Sequence, residues 1–229
     1  MVRTLKGEDS WQGVQERVPR VFLGKEGARW CICPDDLSAD SLVYSFGVGE
    51  DVSFDLQLIE QCGARVYAFD PTPQSIAWVH SQVLPDGFVF HPYGVAAFDG
   101  ICRFLAPENP AHVSHTILAR PSLPGGLDLP VHRLLTIMKM LGHTSIDLLK
   151  MDIEGAEYQV INDLIECGIR PRQLLVEFHH RWPEVGIEKT RTAIRDLNCA
   201  GYRIFDVSAS GEEYSFRTGC AWGQEGKKE

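Results

Sequence analysis

The sequence predicts an α/β fold, a mostly parallel sheet covered by helices on both faces, and three observations carry that prediction. From Ser41 onward, short apolar runs alternate with segments of helical period, the order that builds a parallel sheet through helical crossovers. The apolar runs are nearly continuous, as in strands buried on both faces. Several stop abruptly at glycine or a carboxylate, as at Phe46-Gly47, Phe69-Asp70 and Met151-Asp152. In such sheets the ligand sits just beyond the strand ends.

The elements follow in chain order. Residues 1–40 are mixed in charge, with apolar pieces only at Val21-Phe22-Leu23 and Trp30-Cys31-Ile32. So few apolar residues cannot build a core alone, so this stretch reads as an N-terminal cap on a domain spanning 41–229. Leu42 to Phe46 is the first buried strand. Val52 to Cys62 is a helix with Val52, Leu56 and Ile59 on one face, closed by Gly63. Arg65 to Phe69 is the second strand, and Pro73 suits the first turn of a helix reaching about Ser81. Phe88 to Phe90 is a third strand. From Gly100 to Pro130, after a short strand at Ile101 to Leu105, the chain is rich in Pro, Gly, Ser and His and reads as a surface loop beside the site. A helix over Leu134 to Leu141 leads to a strand over Ile146 to Met151. The next helix carries Ala156, Val160, Ile161, Leu164 and Ile165 along one stripe and ends before Gly168 and Pro171. A strand over Leu174 to Phe178, a helix over Lys189 to Cys199, a strand over Tyr202 to Val207 and a last strand between Glu213 and Cys220 complete the sheet.

Composition narrows the function. The 229 residues suit one large domain or one domain with a small appendage. With 44% hydrophobic and 23% charged residues, the chain is neither disordered nor fibrous. A formal charge of −9 repels phosphate backbones and anionic membrane surfaces. No apolar run approaches the ~18–20 residues that span a bilayer, and Met1 to Asp9 lacks the apolar core of a signal peptide. Seven scattered cysteines, odd in number, fit a reducing cytoplasm. The tight pair Cys31-x-Cys33 has no second pair at zinc-site spacing.

The strand ends carry the chemistry. Gly47-x-Gly49 after the first strand allows a tight turn and close approach of backbone to ligand. Asp70 stands 21 residues beyond Gly49, where a carboxylate can accept both hydroxyls of a ribose. Together they favour an adenosine-type cofactor. A dinucleotide fingerprint needs a third glycine where Val52 stands, and Glu50 and Asp51 occupy the helix start that would hold negative phosphates. Two carboxylates there attract a cation, although they also complement the helix dipole. S-adenosylmethionine, which carries an ammonium and a sulfonium and no phosphate, fits better than a nicotinamide dinucleotide.

Tyr44 to Phe54 (YSFGVGEDVSF), Val66 to Pro71 (VYAFDP), Asp147 to Glu157 (DLLKMDIEGAE) and Leu175 to His179 (LVEFH) together resemble the successive motifs of the FkbM-type methyltransferases. The resemblance spans about Ser41 to Val207, and LLKMDIEGAE is its most specific piece. The chain departs from the commoner form at Glu50-Asp51-Val52, where an Asn-Ile-Gly-like stretch is usual, and at Asp70, where Glu is usual. The resemblance implies a Rossmann-like class I methyltransferase fold, with seven strands and the last antiparallel. It implies S-adenosylmethionine as cofactor and O-methylation of a sugar, glycan or small metabolite. Carried over by position, Phe46, Gly47 and Gly49 approach the amino-acid part of the cofactor, with Asp51 or Ser53 near its polar end. Asp70 with Pro71 holds the ribose, and Gly94 to Ala96 lie along the adenosine.

Methyl transfer to a hydroxyl also needs a route for the proton. Asp152 and Glu154 close the fourth strand of the series and His179 closes the fifth, its expected neighbour. The candidate catalytic set is therefore His179 as general base, with Asp152 orienting it or the substrate, and Glu154 beside them. Asp152 also suits a helix cap, and His179 a core histidine. No metal site is assigned, although this set offers mixed oxygen and nitrogen ligands for Mg, Mn or Zn. His112, His115, Arg120 and Arg181 are weaker candidates for touching an acceptor, and Glu157 and Glu177 read as structural. The partners expected are a small-molecule or glycan acceptor, with no nucleic acid and no membrane insertion. Two other readings stay open: an NAD-dependent oxidoreductase, and a non-catalytic cofactor-binding protein.

Overall fold

The computed structural model describes residues 12–105 and 126–219; His112, His115 and Arg120 lie outside them. Among the described residues are twelve strands and five α-helices. The strands are β1 (Val21–Leu23), β2 (Trp30–Ile32), β3 (Leu42–Phe46), β4 (Arg65–Phe69), β5 (Phe88–His91), β6 (Gly94–Val95), β7 (Gly100–Leu105), β8 (Gly126–His132), β9 (Leu148–Met151), β10 (Gln173–Glu177), β11 (Tyr202–Val207) and β12 (Glu213–Thr218). The helices are α1 (Ser53–Cys62), α2 (Pro73–His80), α3 (Leu134–Leu141), α4 (Glu157–Glu166) and α5 (Ile187–Cys199).

Seven strands form the main sheet in the order β11-β12-β10-β9-β3-β4-β5. All neighbours are parallel except β12, which runs antiparallel to both β10 and β11. This is the expected α/β class I methyltransferase arrangement. The chain builds outward from β3 to β4 and β5, then returns to lay β9 on the other side of β3. The loops leaving β3 and β9 therefore diverge, opening a crevice at their carboxyl ends.

Alternation along the strands feeds two cores. Tyr44, Phe46, Leu149 and Met151 join α3, α4 and α5 on one face. Val43, Leu148 and Leu175 join α1 and the β1–β2 hairpin on the other. Both faces are covered, which is why these strands read as continuous apolar runs. Local signals set the helix ends: Gly63 caps α1 with a left-handed φ of 68°, and the Thr72 hydroxyl accepts from the Ser75 amide at the start of α2.

The two N-terminal apolar pieces pair as the antiparallel hairpin β1–β2, which is stitched to the sheet. The Gln173 amide bonds both the N–H and the C=O of Cys33 at 2.8 Å, and Arg217 makes two 3.0 Å bonds to Asp36. The stretch expected as loop is more ordered at its flanks than its composition suggested. β7 pairs antiparallel with β8, and β6 pairs parallel with β8. This small sheet has its own cluster of Ala96, Phe104, Leu129 and Val131. Among the described residues no helix is long and apolar enough to cross a membrane.

Candidate active site

The turn after β3 is shaped by backbone contact. Gly47 has a φ of 84° and donates to the Phe69 carbonyl at 3.1 Å. A Cβ there would lie 1.9 Å from the Asp152 carbonyl oxygen, so only glycine lets the ends of β3 and β9 meet. Gly49 has a φ of 55° with open space where a Cβ would go, so conformation, not crowding, asks for glycine. Asp70, buried at the end of β4, braces this turn. Its Oδ2 accepts from the Val48 and Gly49 amides at 3.0 Å each, and its Oδ1 from the Thr72 amide (2.9 Å) and hydroxyl (2.7 Å). Those four donors fill a carboxylate's usual acceptor capacity.

Beside the turn lies a cleft enclosing about 790 Å³, part of it open to solvent. Phe46, Phe69, Pro71, Val95 and Phe104 give apolar walls, and Asp70, Thr72, Ser75, Asp152 and Glu154 give polar ones. Of the cofactor positions carried over from sequence, Phe46, Gly47, Gly49, Asp70, Pro71 and Gly94 line it. Ala96 does not. Its amide is pinned to the His132 carbonyl at 3.0 Å, and its side chain turns into the core of the small sheet. Asp51 and Ser53 also face elsewhere, into an adjoining cavity of about 560 Å³ that shares Gly47, Val48 and Asp152 with the first.

The second cavity is bounded by the hairpin turn Gly27 to Trp30 and contains Asp55, Lys150, Glu177 and Glu213. Lys150, buried, reaches the Gly47 carbonyl at 3.1 Å and sits 5.1 Å from the centre of the Trp30 ring. Asp55 is fully buried. Desolvation pushes its carboxyl up to about 6, against the opposing pull of Lys150 and Ser45. Asp51 pairs with Lys25 at 3.3 Å and accepts from the Ser53 amide at 2.6 Å. Burial opposes ionisation there, but these partners win and hold its carboxyl below the usual range. The negative charge assigned to this turn from sequence is thus half-answered by Lys25.

At the ends of β9 and β10 the three candidate catalytic groups do converge. Glu154 has a φ of 54°, the one non-glycine residue with positive φ among those described, a conformation that costs about 1–2 kcal/mol. Its Oε2 lies 3.3 Å from His179 Nε2, and Asp152 Oδ1 lies 3.9 Å from the same nitrogen. The other ring nitrogen, Nδ1, lies 3.1 Å from Oε1 of Glu157, which also accepts the His179 amide at 3.0 Å. Oε2 of Glu157 accepts the Gly155 amide at 2.9 Å. Trp182 packs on the imidazole, ring centres 4.6 Å apart.

This geometry revises two expectations. Burial alone would depress the imidazole, but the bond to Glu157 and the charges of Glu157, Glu154 and Glu177 overcome it and raise His179 to about 10. That upward pull favours the protonated ring, a form that does not serve as a general base. Nor does Asp152 orient it, since 3.9 Å is beyond hydrogen-bond reach; Glu157 does. Glu157, read from sequence as a structural helix residue, anchors the site's histidine and the Gly155 turn together. Its place in the first turn of α4 was legible, but its partner 22 residues away was not. Glu177 is likewise part of this end of the sheet. Burial, then the charge of Asp152, pushes it up to about 9. Arg181 bonds the Glu212 carboxylate and the Ser210 carbonyl, so it braces a loop. Two chemistries are open to this rim: Asp152 and Glu154 can take a proton from a hydroxyl, and the donor atoms of Asp152, Glu154 and His179, all within 4.8 Å of one another, have the spacing of metal ligands.

Comparison with known proteins supplies the lineage. The family model for the methyltransferase FkbM domain matches residues 46–204. The probable methyltransferase-like protein 24 of Homo sapiens is 27% identical over 195 residues, covering 77% of this chain and 47% of that protein. Its Rattus norvegicus counterpart is 25% identical over the same shares. The chain thus spans about half the length of the curated relatives it matches. Among solved structures, the methyltransferase FkbM of Methylobacillus flagellatus KT aligns with a TM-score of 0.48 at 14% identity, over 79% of this chain and 44% of that one. The Aeropyrum pernix fibrillarin bound to S-adenosyl-L-methionine aligns with a TM-score of 0.42 at 10% identity, over 92% and 85%.

Proposed function

The chain belongs to the methyltransferase FkbM domain family, and from that premise we propose that it transfers the methyl group of S-adenosylmethionine to a hydroxyl of a sugar, glycan or small metabolite. The observation that carries this reading is the pair of joined cavities at the β3–β9 crevice. One has mainly apolar walls, of the kind that cover a nucleoside's base; the other is charged and suits an amino-acid end. Such a division matches a donor with an adenosine at one end and an ammonium and carboxylate at the other. Gly94, Val95 and Pro71 would flank the adenine, Thr72 and Ser75 the ribose, and Asp51, Ser53 and Lys150 the amino-acid end; Asp70, whose acceptor sites are taken by its own turn, would act by holding that turn in shape. The turn lacks a dinucleotide's third glycine and carries acid at the phosphate position, which disfavours the nicotinamide alternative.

When bound, the donor supplies a methyl already activated by its sulfonium. The protein's part is alignment, exclusion of water and removal of a proton. Asp152 borders both cavities and Glu154 stands beside it, so either carboxylate takes the hydroxyl proton as the acceptor oxygen bonds to the methyl carbon. The carbon–sulfur electron pair leaves on sulfur, and the proton passes to solvent. Glu157 holds His179, and His179 holds Glu154 in its strained turn. The described cysteines are all unpaired, which supports a reducing, cytoplasmic setting for this reaction.

The experiment is transfer of labelled methyl from S-adenosylmethionine to a panel of sugars, glycans and small hydroxyl compounds. Asp152→Asn is expected to lower turnover by about 10²–10⁴-fold while leaving S-adenosylhomocysteine affinity within a few-fold. Thermal stabilisation by NAD with none by S-adenosylmethionine would reject the reading.

A further inference from the structure

We propose that Asp152, Glu154 and His179 form a divalent-cation site of the manganese or magnesium kind, where the ion holds the acceptor hydroxyl beside the donor methyl. The role rests on the methyltransferase reading; the existence of the site does not.

The first support is the preparation of His179. Its side chain is buried, and both its backbone amide and its Nδ1 are committed to the completely buried Glu157. The ring orientation is therefore fixed and Nε2 is left to face Glu154 and Asp152. A carboxylate anchoring the far nitrogen of an imidazole is the usual outer support of a metal-bound histidine. The second support is independent of that trio. Glu177 and Glu213 lie directly opposite each other across β10 and β12 and face the cavity that Asp152 also lines. That cavity is lined by five carboxyl groups, Asp51, Asp55, Asp152, Glu177 and Glu213, against the two basic side chains Arg29 and Lys150, a surplus that a divalent ion complements. The buried ammonium of Lys150 is directed at the carbonyls of Phe46 and Gly47.

The ligand set selects the ion. The two carboxylates suit Mn²⁺ and Mg²⁺, the imidazole favours Mn²⁺ of the two, and three protein ligands leave coordination positions for the acceptor oxygen and water. Asp152 and Glu154 also line the cavity assigned to the donor, so an oxygen held on the ion stands where the methyl is presented. With the ion bound, Asp152 and Glu154 serve as its ligands in place of acting as the base: the ion lowers the hydroxyl's pKa, and its proton goes to water. The oxygen then bonds to the methyl carbon as the carbon–sulfur pair leaves on sulfur. The ion undergoes no redox change.

The test strips the purified protein with chelator, removes the chelator, and titrates in MnCl₂ while the signal of free Mn²⁺ is followed by electron paramagnetic resonance. One Mn²⁺ per chain is expected, displaced by excess Mg²⁺. Asp152→Asn and His179→Ala should each weaken binding at least tenfold, and Glu157→Gln by about 10–100-fold. Circular dichroism confirms folding; should His179→Ala not fold, the nearly isosteric Asp152→Asn carries the test. No bound Mn²⁺ in folded wild-type protein, or unchanged binding in Asp152→Asn, overturns the site. The same stripped protein is titrated with S-adenosylhomocysteine. Nucleoside binding without Mn²⁺ binding removes the cation and spares the methyltransferase reading; Mn²⁺ binding without nucleoside binding does the reverse.

Discussion

The two halves of the crevice solve opposite problems. At the ends of β3 and β4 the polar groups answer one another: Asp70 takes four donors from Val48, Gly49 and Thr72, and the Thr72 hydroxyl also bonds Ser75. At the ends of β9 and β10, Asp152, Glu154 and Glu157 gather round one imidazole, and burial with the charge of Asp152 pushes nearby Glu177 up to about 9. The first half is a finished mould whose shape the chain fixes alone. The second is a charged rim that gains from a cation or a proton arriving with the reaction. On the proposed function, binding of the donor and its chemistry fall to different strand ends.

Substitutions can break this contrast, the largest effect first. Gly47→Ala places a methyl 1.9 Å from the Asp152 carbonyl oxygen and should unseat both halves together. S-adenosylhomocysteine binding should become undetectable by calorimetry, and stability should fall by about 3 kcal/mol or more. Retained binding would mean the two strand ends are not in contact.

Excess negative charge beneath the turn is tested by pH. Asp55 titrates near 6 when folded, above its ordinary 3.8, so its contribution to stability is fully present below about pH 4 and is lost as pH rises through 6. Asp55→Asn removes that dependence. Denaturant titrations at pH 4 and pH 7 should show the variant gaining about 3 kcal/mol relative to wild type across that interval. A constant difference would contradict the assignment.

Asp70→Ala leaves the Val48 and Gly49 amides without their acceptor and should cost about 2 kcal/mol. It should also weaken S-adenosylhomocysteine by roughly tenfold, that cost being partly relieved by loop rearrangement. The smallest expected effect belongs to Ala96, which sits in the small-sheet core: Ala96→Gly should leave nucleoside affinity within twofold, whereas Ser53→Ala should weaken S-adenosylhomocysteine several-fold and leave 5′-methylthioadenosine, which lacks the amino-acid end, unchanged. Equal loss for both ligands would merge the two cavities into one.

How far the sequence reached follows the same division. The strands of the main sheet were legible because burial on both faces makes each a continuous apolar run, punctuated by Gly47, Gly63 and Gly168. β8 was hidden because Asp128 and Pro130 interrupt its apolar pattern, although its pairing with β7 tolerates both. Six of the nine proposed cofactor positions line the main cavity because they sit at strand ends, where topology alone places them. Ala96 lies outside that lining because its environment depends on β8, the strand that was not seen. Convergence of Asp152, Glu154 and His179 was likewise readable from adjacent strands. The upward pull on His179 was not, since it depends on how many carboxylates three dimensions gather around one ring. Residue spacing does not reveal that Glu157 and Glu177 crowd the same imidazole, nor that Gln173 reaches 140 positions back to Cys33.

The central claim, that the β3–β9 crevice is a methyl-donor site, is tested most directly by a crystal structure with S-adenosylhomocysteine. The adenine is expected against Gly94 and Val95, the sulfur at the Asp152 rim and the amino-acid end beside Lys150. Density for the nucleoside anywhere else, or a crevice that stays closed at saturating ligand, would contradict it.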